Sequence, residues 1–448
     1  MNKNDVIRLT IESLTDEGAG VGRYDGMVVF VPFTAVGDVL DVRIVKVGKN
    51  YCYGISENIT TPSSDRISPD CDVFGKCGGC VFRHISYEAE LRAKEEMIRS
   101  AFTRIGKIEP EFLPIIPNDR TSGYRNKAQY PVARDKNGAL TSGFFAVRSH
   151  RVIPCENCRL ESGIFGEIRS FVLEECTKLG ISPYNEELHN GVLRHICIRR
   201  GHYSGEINVV LVARRNVPEF RKLGTILMKR FPAIRGVAAN INRDRTNVIY
   251  GDEEHTLCGS PEITDTMLGK QFVISPRSFY QVNTPMAEKL YDEAGRLAQA
   301  DGKTLIDLYC GIGTVGLSIA GNATGLIGVE IVPSAVENAR KNAELNGFTN
   351  AQFHCGDAGQ VTSLLREKGL RADVVTVDPA RKGCSTETLD NITAFSPERI
   401  VMISCNPATA ARDCGYLAER GYRTVSVRGA DLFSRTAHVE CVILLVRE

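Results

Sequence analysis

Residues 5–60 alternate apolar and polar side chains in short runs, VIRLTIESL, MVVFVPF and VLDVRIVKV, broken by glycine-bearing turns at DEGAGVG and YDG. Such period-two alternation buries one face of each strand and wets the other, so the stretch predicts a small all-β barrel. NITTPSSDRISPD, rich in Pro, Ser and Thr, reads as a linker. After it, SYEAELRAKEEMIRSAF places Tyr87, Leu91, Ile98 and Phe102 on one helical face, with Ser86 positioned as its N-cap. From Tyr124 to about Gly269 short strands return, with helices expected near GIFGEIRSFVLEECTKLG and PEFRKLGTILMKRF.

From Phe279 the pattern becomes strand-helix alternation. TLIDLY, GLIGVE, AQFHCGD, DVVTVDPA, RIVMISCN and VILLVRE read as strands, separated by helical segments such as PSAVENARKNAELNG. This predicts an α/β unit with a largely parallel sheet that binds ligands at the carboxyl ends of its strands. The length of 448 residues suggests a multidomain chain. We expect a barrel over 1–60, a central α+β domain over 61–270 and an α/β domain over 271–448. The helix near 86–104 is a candidate to pack on the last of these.

Composition changes this picture little. Hydrophobic residues make up 43% and charged residues 24% of the chain, with no apolar run long enough to cross a bilayer. The N-terminus MNKNDVIRLTIESL lacks the order of a secretory signal, which points to the cytoplasm and to reduced thiols. A net charge of +1 excludes a strongly basic protein but not local patches. One patch, from Arg120 to Arg151, carries seven basic residues against the single acid Asp135, with Tyr124, Tyr130, Phe144 and Phe145 interleaved. A second is LRHICIRRGH, Leu193 to His202. Solvated turns would produce the same composition; a polyanion-binding face requires nucleic-acid chemistry elsewhere in the chain.

DLYCGIGTVGL runs a strand into Gly311, Gly313 and Gly316 and then into a helix, so the backbone there can approach a ligand closely. Glu330 closes the next strand, where a carboxylate can accept both hydroxyls of a ribose. An adenosyl cofactor and a dinucleotide both suit that geometry. Asp307, Glu330, Asp357 and Asp378 end four successive strands, which suits S-adenosylmethionine better than NAD, because its sulfonium and ammonium are cationic and it has no phosphates. Each aspartate alone is equally a helix cap.

Fifteen cysteines are many for a reduced compartment, so their clustering matters. Cys71, Cys77 and Cys80 form C-x5-C-x2-C, and Cys155 and Cys158 form a later C-x2-C. Two readings stay open: a zinc ribbon from the two C-x2-C pairs, omitting Cys71, or an iron-sulfur cluster on the three early cysteines and one late one. Cys405, in VMISCNPATAARD, ends a strand and is followed by Asn406 and Pro407, where a sheet presents a nucleophile to the cofactor crevice. Glu440 in HVECVILL supplies a carboxylate later in the chain. Cys310, Cys355, Cys384 and Cys441 read mainly as buried thiols.

The cysteine cluster, SFYQVN, DLYCGIGTVGL, VDPARKG, SCNP and HVE, in this order, resemble the RNA uracil-5-methyltransferase family, most closely its bacterial 23S ribosomal RNA branch. The resemblance spans nearly the whole chain. It implies an OB-like TRAM barrel, a central domain holding a [4Fe–4S] cluster, and a Rossmann-like class I methyltransferase domain that binds S-adenosylmethionine. Carried over by motif, Cys71, Cys77, Cys80 and Cys158 would ligate the cluster, leaving Cys155 spare. Gln281, Tyr309, Glu330 and Asp378 would surround the cofactor, with Thr314 and Asp357 further candidates. Cys405 matches the nucleophile and Glu440 the proton acceptor. The implied partner is 23S rRNA, entering as a flipped uridine from a loop or single strand, with no membrane and a monomeric protein. The transfer-RNA branch is disfavoured because it generally lacks both barrel and cysteine cluster. The family usually reads Asp-Pro-Pro-Arg where this chain has Asp378-Pro379-Ala380-Arg381, and often Pro-His where this chain has Ser434-Arg435.

Overall fold

The computed structural model describes residues 1–448. The N-terminal alternation becomes a six-stranded sheet of β1 (Val6–Thr10), β2 (Ser13–Leu14), β3 (Gly20–Tyr24), β4 (Met27–Val31), β5 (Val39–Val47) and β6 (Tyr51–Thr61), ordered β1-β5-β6-β4-β3-β2. In β1, Ile7 and Leu9 point inward while their neighbours are exposed, and they join Val29, Val31, Leu40 and Val42 in one core.

Helix α1 (Tyr87–Ala101) begins where Ser86 accepts a hydrogen bond from Ala89 N at 3.2 Å, and a π-turn over Phe102–Gly106 extends it. Strand β7 (Glu111–Ile116) then leaves the segment that precedes the central sheet and joins the C-terminal one.

The central sheet contains β8 (Lys127–Arg134), β9 (Leu140–Phe145), β10 (Val152–Pro154), β11 (Leu193–Arg200), β12 (Ile207–Ala213), β13 (Ile234–Ile241) and β14 (Glu253–Gly259), ordered β10-β9-β8-β11-β12-β13-β14. Phe165, Ile168 and Val172 of α2 (Gly163–Lys178) and Phe220, Leu223 and Leu227 of α3 (Pro218–Arg230) pack on Tyr130, Ile196 and Val209 of the sheet. The opposite face carries Lys127, Gln129 and Arg199 at paired positions of β8 and β11. This placement corrects the reading of LRHICIRRGH as a surface patch. Arg194 and Arg199 are buried and donate to main-chain carbonyls: Arg194 to those of Asn242, Asp244 and Thr246, Arg199 to those of Ser275 and Ser278. A guanidinium carries five fixed donors and no acceptor, so it can gather several carbonyls of irregular backbone at once.

A hairpin of β15 (Ile263–Met267) and β16 (Lys270–Ile274) and helix α4 (Thr284–Ala298) lead into the third unit. Its strands and helices alternate as β17 (Thr304–Leu308), α5 (Thr314–Ile319), β18 (Gly325–Glu330), α6 (Pro333–Leu345), β19 (Ala351–Cys355), α7 (Ala358–Glu367), β20 (Val374–Val377), α8 (Thr386–Phe395), β21 (Arg399–Ser404), α9 (Pro407–Ala418), β22 (Tyr422–Ala430) and β23 (Glu440–Arg447). The sheet order is β19-β18-β17-β20-β21-β23-β22-β7. Strands β17 to β21 run parallel, and β23 inserts antiparallel to β21. All four residues of β20 are buried, as a parallel strand covered on both faces requires. The strand order reverses between β17 and β20, which opens the ligand crevice at their carboxyl ends.

Candidate active site

At the end of β17 the backbone turns sharply. Tyr309, Gly311 and Gly313 all have positive φ, at 63°, 56° and 84°. The two glycines carry this at little cost, whereas a tyrosine does so only when its surroundings fix it. Glu330 braces the loop: its Oε2 accepts from Gly311 N at 3.1 Å and its Oε1 from Val332 N at 2.9 Å. Each carboxylate oxygen keeps a free lone pair, so a ribose diol remains compatible with these bonds.

The other strand-end acids divide by task. Asp357 caps α7, with its Oδ1 accepting from Gly359 N at 2.9 Å and Gln360 N at 3.3 Å. Its Oδ2 makes neither bond. Asp307 is turned inward and buried, where it accepts from Gly316 N and Thr376 Oγ1, each at 2.8 Å. It therefore supports the glycine loop from beneath. Asp378 follows β20; burial and the nearby Asp307 push its carboxyl up to about 7.

Gln281 and Thr314 are buried on the same side, beside Tyr291 of α4. The Tyr291 hydroxyl is buried next to both and lies within electrostatic reach of Asp378 and Glu440. The sequence reading missed this residue, because a tyrosine on the apolar stripe of an amphipathic helix looks like core.

The β21–β23 register settles the position of Cys405. Ser404 pairs with Cys441, which brings Cys405, just after the one, near Glu440, just before the other, and the Glu440 charge acts on the Cys405 thiol. Asn406 caps α9 by accepting from Ala408 N at 3.1 Å, and its side-chain amide donates to Arg381 O at 3.0 Å. With Pro407 at the first turn of the helix, the Cys-Asn-Pro sequence fixes where the thiol leaves the sheet.

Burial, then Glu440 and Asp378, push the Cys405 thiol up to about 11, while Arg381 acts in the opposite direction. Glu440 is raised well above the ordinary range by burial and Asp378, again opposed by Arg381, and its Oε2 has no hydrogen-bond partner. Arg381 also meets His438 at 3.2 Å. Cys405 and His438 open onto a cavity of about 770 Å³ whose far wall comes from the barrel and α1, including Phe30, Arg23 and Arg104.

Cys71, Cys77, Cys80, Cys155 and Cys158 line a separate cavity of about 100 Å³. Gly79 N lies 3.4 Å from Cys77 Sγ, and Arg83 Nε 3.4 Å from Cys80 Sγ, so donors already face two of the sulfurs. As placed, no three of the protein's histidine, cysteine or carboxylate groups converge on one point. Cys155 and Cys158 lie close enough to influence each other's ionisation. Among the thiols read as buried, Cys310, Cys384 and Cys441 are, while Cys355 is exposed.

A family model described as tRNA (Uracil-5-)-methyltransferase matches residues 86–448, and a TRAM domain model matches residues 2–55. An uncharacterized RNA methyltransferase of Halalkalibacterium halodurans is 44% identical over 448 residues, covering 99% of this chain and 98% of its own. One from Clostridium tetani is 38% identical over 447 residues, covering 99% and 97%. Among solved structures, the tRNA (uracil-54, C5)-methyltransferase of Pyrococcus abyssi in complex with S-adenosyl-L-homocysteine aligns with a TM-score of 0.78 at 26% identity, covering 98% of this chain and 100% of that one. That alignment to a tRNA enzyme extends across nearly the whole chain, so the barrel and the cysteine segment do not by themselves argue against a tRNA substrate.

Proposed function

The chain belongs to the tRNA (uracil-5-)-methyltransferase family, and from that premise we propose that it transfers a methyl group from S-adenosylmethionine to carbon 5 of a uridine in 23S rRNA, through a covalent adduct on Cys405. The observation that carries this reading is the proximity of Cys405, Glu440 and Asp378 at the mouth of the crevice. A methylation at an ordinary nucleophilic atom needs neither a thiol nor a buried acid at that point.

Carbon 5 of uracil is a poor nucleophile. Addition of the Cys405 thiolate to carbon 6 forms a carbon-sulfur bond and moves the ring electrons to carbon 5 as an enolate. S-adenosylmethionine, when bound, supplies an electrophilic methyl carbon and leaves as the neutral thioether. Glu440 then removes the proton from carbon 5, the ring double bond re-forms, and Cys405 departs as thiolate. Gln281, Tyr309, Thr314, Glu330, Asp357 and Asp378 would hold the cofactor. Glu330 would accept from the ribose hydroxyls, Oδ2 of Asp357 would be free to accept from the adenine amino group, and Asp378, when ionised, would favour the sulfonium. Ionising Cys405 and Glu440 becomes cheaper once a cation sits beside them.

The target base has to leave its stack to reach Cys405. The cavity between Cys405, α1 and the barrel is the route we assign to the RNA strand, with Arg23, Arg104 and Arg381 supplying positive charge. Cys71, Cys77, Cys80 and Cys158 would hold a [4Fe–4S] cluster. What supports a metal centre here is that these thiols line one cavity and that Gly79 N and Arg83 Nε face two of the sulfurs. Anaerobically purified protein should contain about four irons per chain; stoichiometric zinc would favour the ribbon. The chemistry above requires no redox step, so the cluster is assigned a structural role.

The test uses RNA containing 5-fluorouridine, whose fluorine cannot leave as a proton. With S-adenosylmethionine, a 23S rRNA fragment should give a denaturation-resistant adduct on the wild-type protein and none on Cys405→Ala. Glu440→Gln should accumulate the methylated adduct on ordinary uridine. Adduct on tRNA but not on rRNA would move the substrate to tRNA, and adduct on neither would overturn the mechanism.

A further inference from the structure

We propose that Arg435 is a positioning residue for proton removal by Glu440, held in place by the segment that follows the third cysteine. The inference rests on the assignment of Glu440 as the base.

Arg435 lies in the connection between β22 and β23, five positions before Glu440, and adopts φ 70°. A side chain with a Cβ avoids this left-handed region unless neighbouring contacts impose it. Here they come from both backbone and side chain. Arg435 O accepts from Val81 N at 2.9 Å and Phe82 N at 3.2 Å, the two residues that follow Cys80. Arg435 N donates to Glu90 Oε1 at 2.6 Å, and its Nη1 donates to Ile85 O at 3.0 Å and lies 3.5 Å from Glu90 Oε2. The guanidinium also lies over the Tyr87 ring, 5.6 Å from its centre.

The preceding residue is gripped as well. Tyr124 Oη donates to Ser434 O at 2.9 Å, Asn118 Nδ2 donates to Ser434 Oγ at 2.9 Å, and Ser434 Oγ donates to Asp431 at 2.6 Å. From this anchor a short turn leads to the catalytic strand. Thr436 N donates to Phe433 O at 3.1 Å, and His438 N donates to Thr436 Oγ1 at 3.2 Å. Hydrogen bonds therefore run from Phe433, which adjoins the anchor, through Thr436 to His438, two residues before Glu440.

Glu440 has no hydrogen bond on its Oε2 to hold it in place. Glu440 is the first residue of β23, in register with Ala430 of β22, and the segment that delivers it to the sheet is anchored upstream at Ser434 and Arg435. Ser434 and Arg435 are both fully used in the packing. The residues after Cys80 thus set the catalytic carboxylate through Arg435, with no need for electron transfer from the cysteines.

The substitution Arg435→Gly removes the guanidinium while keeping a backbone that accepts positive φ. It should leave the KM values for RNA and S-adenosylmethionine within about threefold. Resolution of the methylated adduct should slow by roughly 10- to 100-fold, the scale of a small misplacement of a catalytic group, so that covalent complex accumulates on unmodified uridine RNA. Arg435→Lys, which retains a donor toward Ile85 O and a charge beside Glu90, should recover much of the rate. Should the glycine variant be unfolded by circular dichroism, Arg435→Gln carries the same comparison. Normal resolution, or equal slowing of adduct formation and resolution, would overturn the positioning role. Glu440→Gln is run in parallel. Trapping in Glu440→Gln without trapping in Arg435→Gly would refute this inference alone, whereas no trapping in Glu440→Gln would refute the base assignment and this inference with it.

Discussion

Cys405 and Glu440 lie near each other, one step beyond the last paired residues of β21 and β23, Ser404 and Cys441. In the free protein this proximity works against the thiolate. Burial and the two acids push the Cys405 thiol up to about 11, which leaves roughly one thiol in 10⁴ ionised at pH 7. Alkylation of Cys405 by iodoacetamide, followed by peptide mass spectrometry, should therefore quicken about tenfold per pH unit from pH 7 to 10. Arg381 favours the thiolate, so Arg381→Ala should slow alkylation at every pH in that range. S-adenosylmethionine should accelerate alkylation relative to S-adenosylhomocysteine, because only the former brings a positive charge. Identical rates with the two ligands would separate the sulfonium from the thiol.

Asn126, at the start of β8, reaches into the cofactor side of the protein. Its amide donates to Gln281 O at 2.9 Å and to Thr284 Oγ1 at 3.0 Å, and its backbone N donates to Val282 O at 2.8 Å. Asn126→Ala would leave Gln281 O and Thr284 without these partners. A buried unsatisfied polar group costs about 1–3 kcal/mol, and the loop can escape that cost only by moving Gln281. S-adenosylmethionine affinity, measured by calorimetry, should fall by about tenfold, while the iron content proposed for the separate cysteine cavity should be the same as in the wild-type protein.

These contacts show where the sequence stops being informative. Alternation along VIRLTIESL and the apolar runs TLIDLY, GLIGVE and RIVMISCN reported their strands, because each buries a face or a whole segment in a predictable rhythm. Strand β7, EFLPII, carries Pro114, which is tolerated because it pairs with β22 on one side only; nothing local foretells that partner over 300 residues away. The proximity of Cys405 and Glu440 likewise depends on strand register, which no motif encodes. Asp307 and Asp357 occupy the strand ends the pattern marked, yet one supports the glycine loop and the other caps a helix. Arg194 and Arg199 gave the opposite error: charges that look solvent-facing in sequence instead gather buried carbonyls.

Helix α1 carries a buried ionic group that its apolar face did not reveal. Lys94 donates to Glu90 at 2.8 Å and to Asp431 at 2.6 Å, with all three side chains inaccessible to solvent. Tyr87 adds a hydrogen bond to Asp431 at 2.7 Å. Lys94→Met fills a similar volume but removes the cation shared by the two acids, leaving Arg435 beside Glu90 and no ion-pair partner for Asp431. Breaking a buried pair in this way costs about 3–5 kcal/mol, so the urea midpoint should fall markedly. Adding Asp431→Asn to Lys94→Met should recover part of the loss, because the unpaired charge is removed. A loss that is unchanged by the second substitution would assign the effect to packing instead.

Asp307 gives the clearest pH signature. Its carboxyl is pushed up to about 7 by burial, against the lowering effect of its bonds from Thr376 and Gly316. An aspartate in the unfolded chain ionises near 3.9. Between these values the native state keeps a proton that the unfolded state has lost, so this group's contribution to stability declines as pH rises from about 4 to about 7 and is level beyond. The difference corresponds to at most about 4 kcal/mol. Asp307→Asn is neutral throughout and keeps the shape. Its amide oxygen can still accept from Gly316 N, and its amide nitrogen can donate to Thr376 Oγ1, whose own proton is free to remain on Ile306 O. Urea unfolding should therefore show wild type and Asp307→Asn similar near pH 4, with the variant increasingly the more stable up to about pH 7 and ahead by a constant margin above it. S-adenosylmethionine affinity should change in the opposite sense: above pH 7 the variant lacks a negative charge beneath the glycine loop and should bind the cationic cofactor less tightly, while below pH 6 the two proteins should match. Equal affinity at pH 8 would leave Asp307 with the structural task alone.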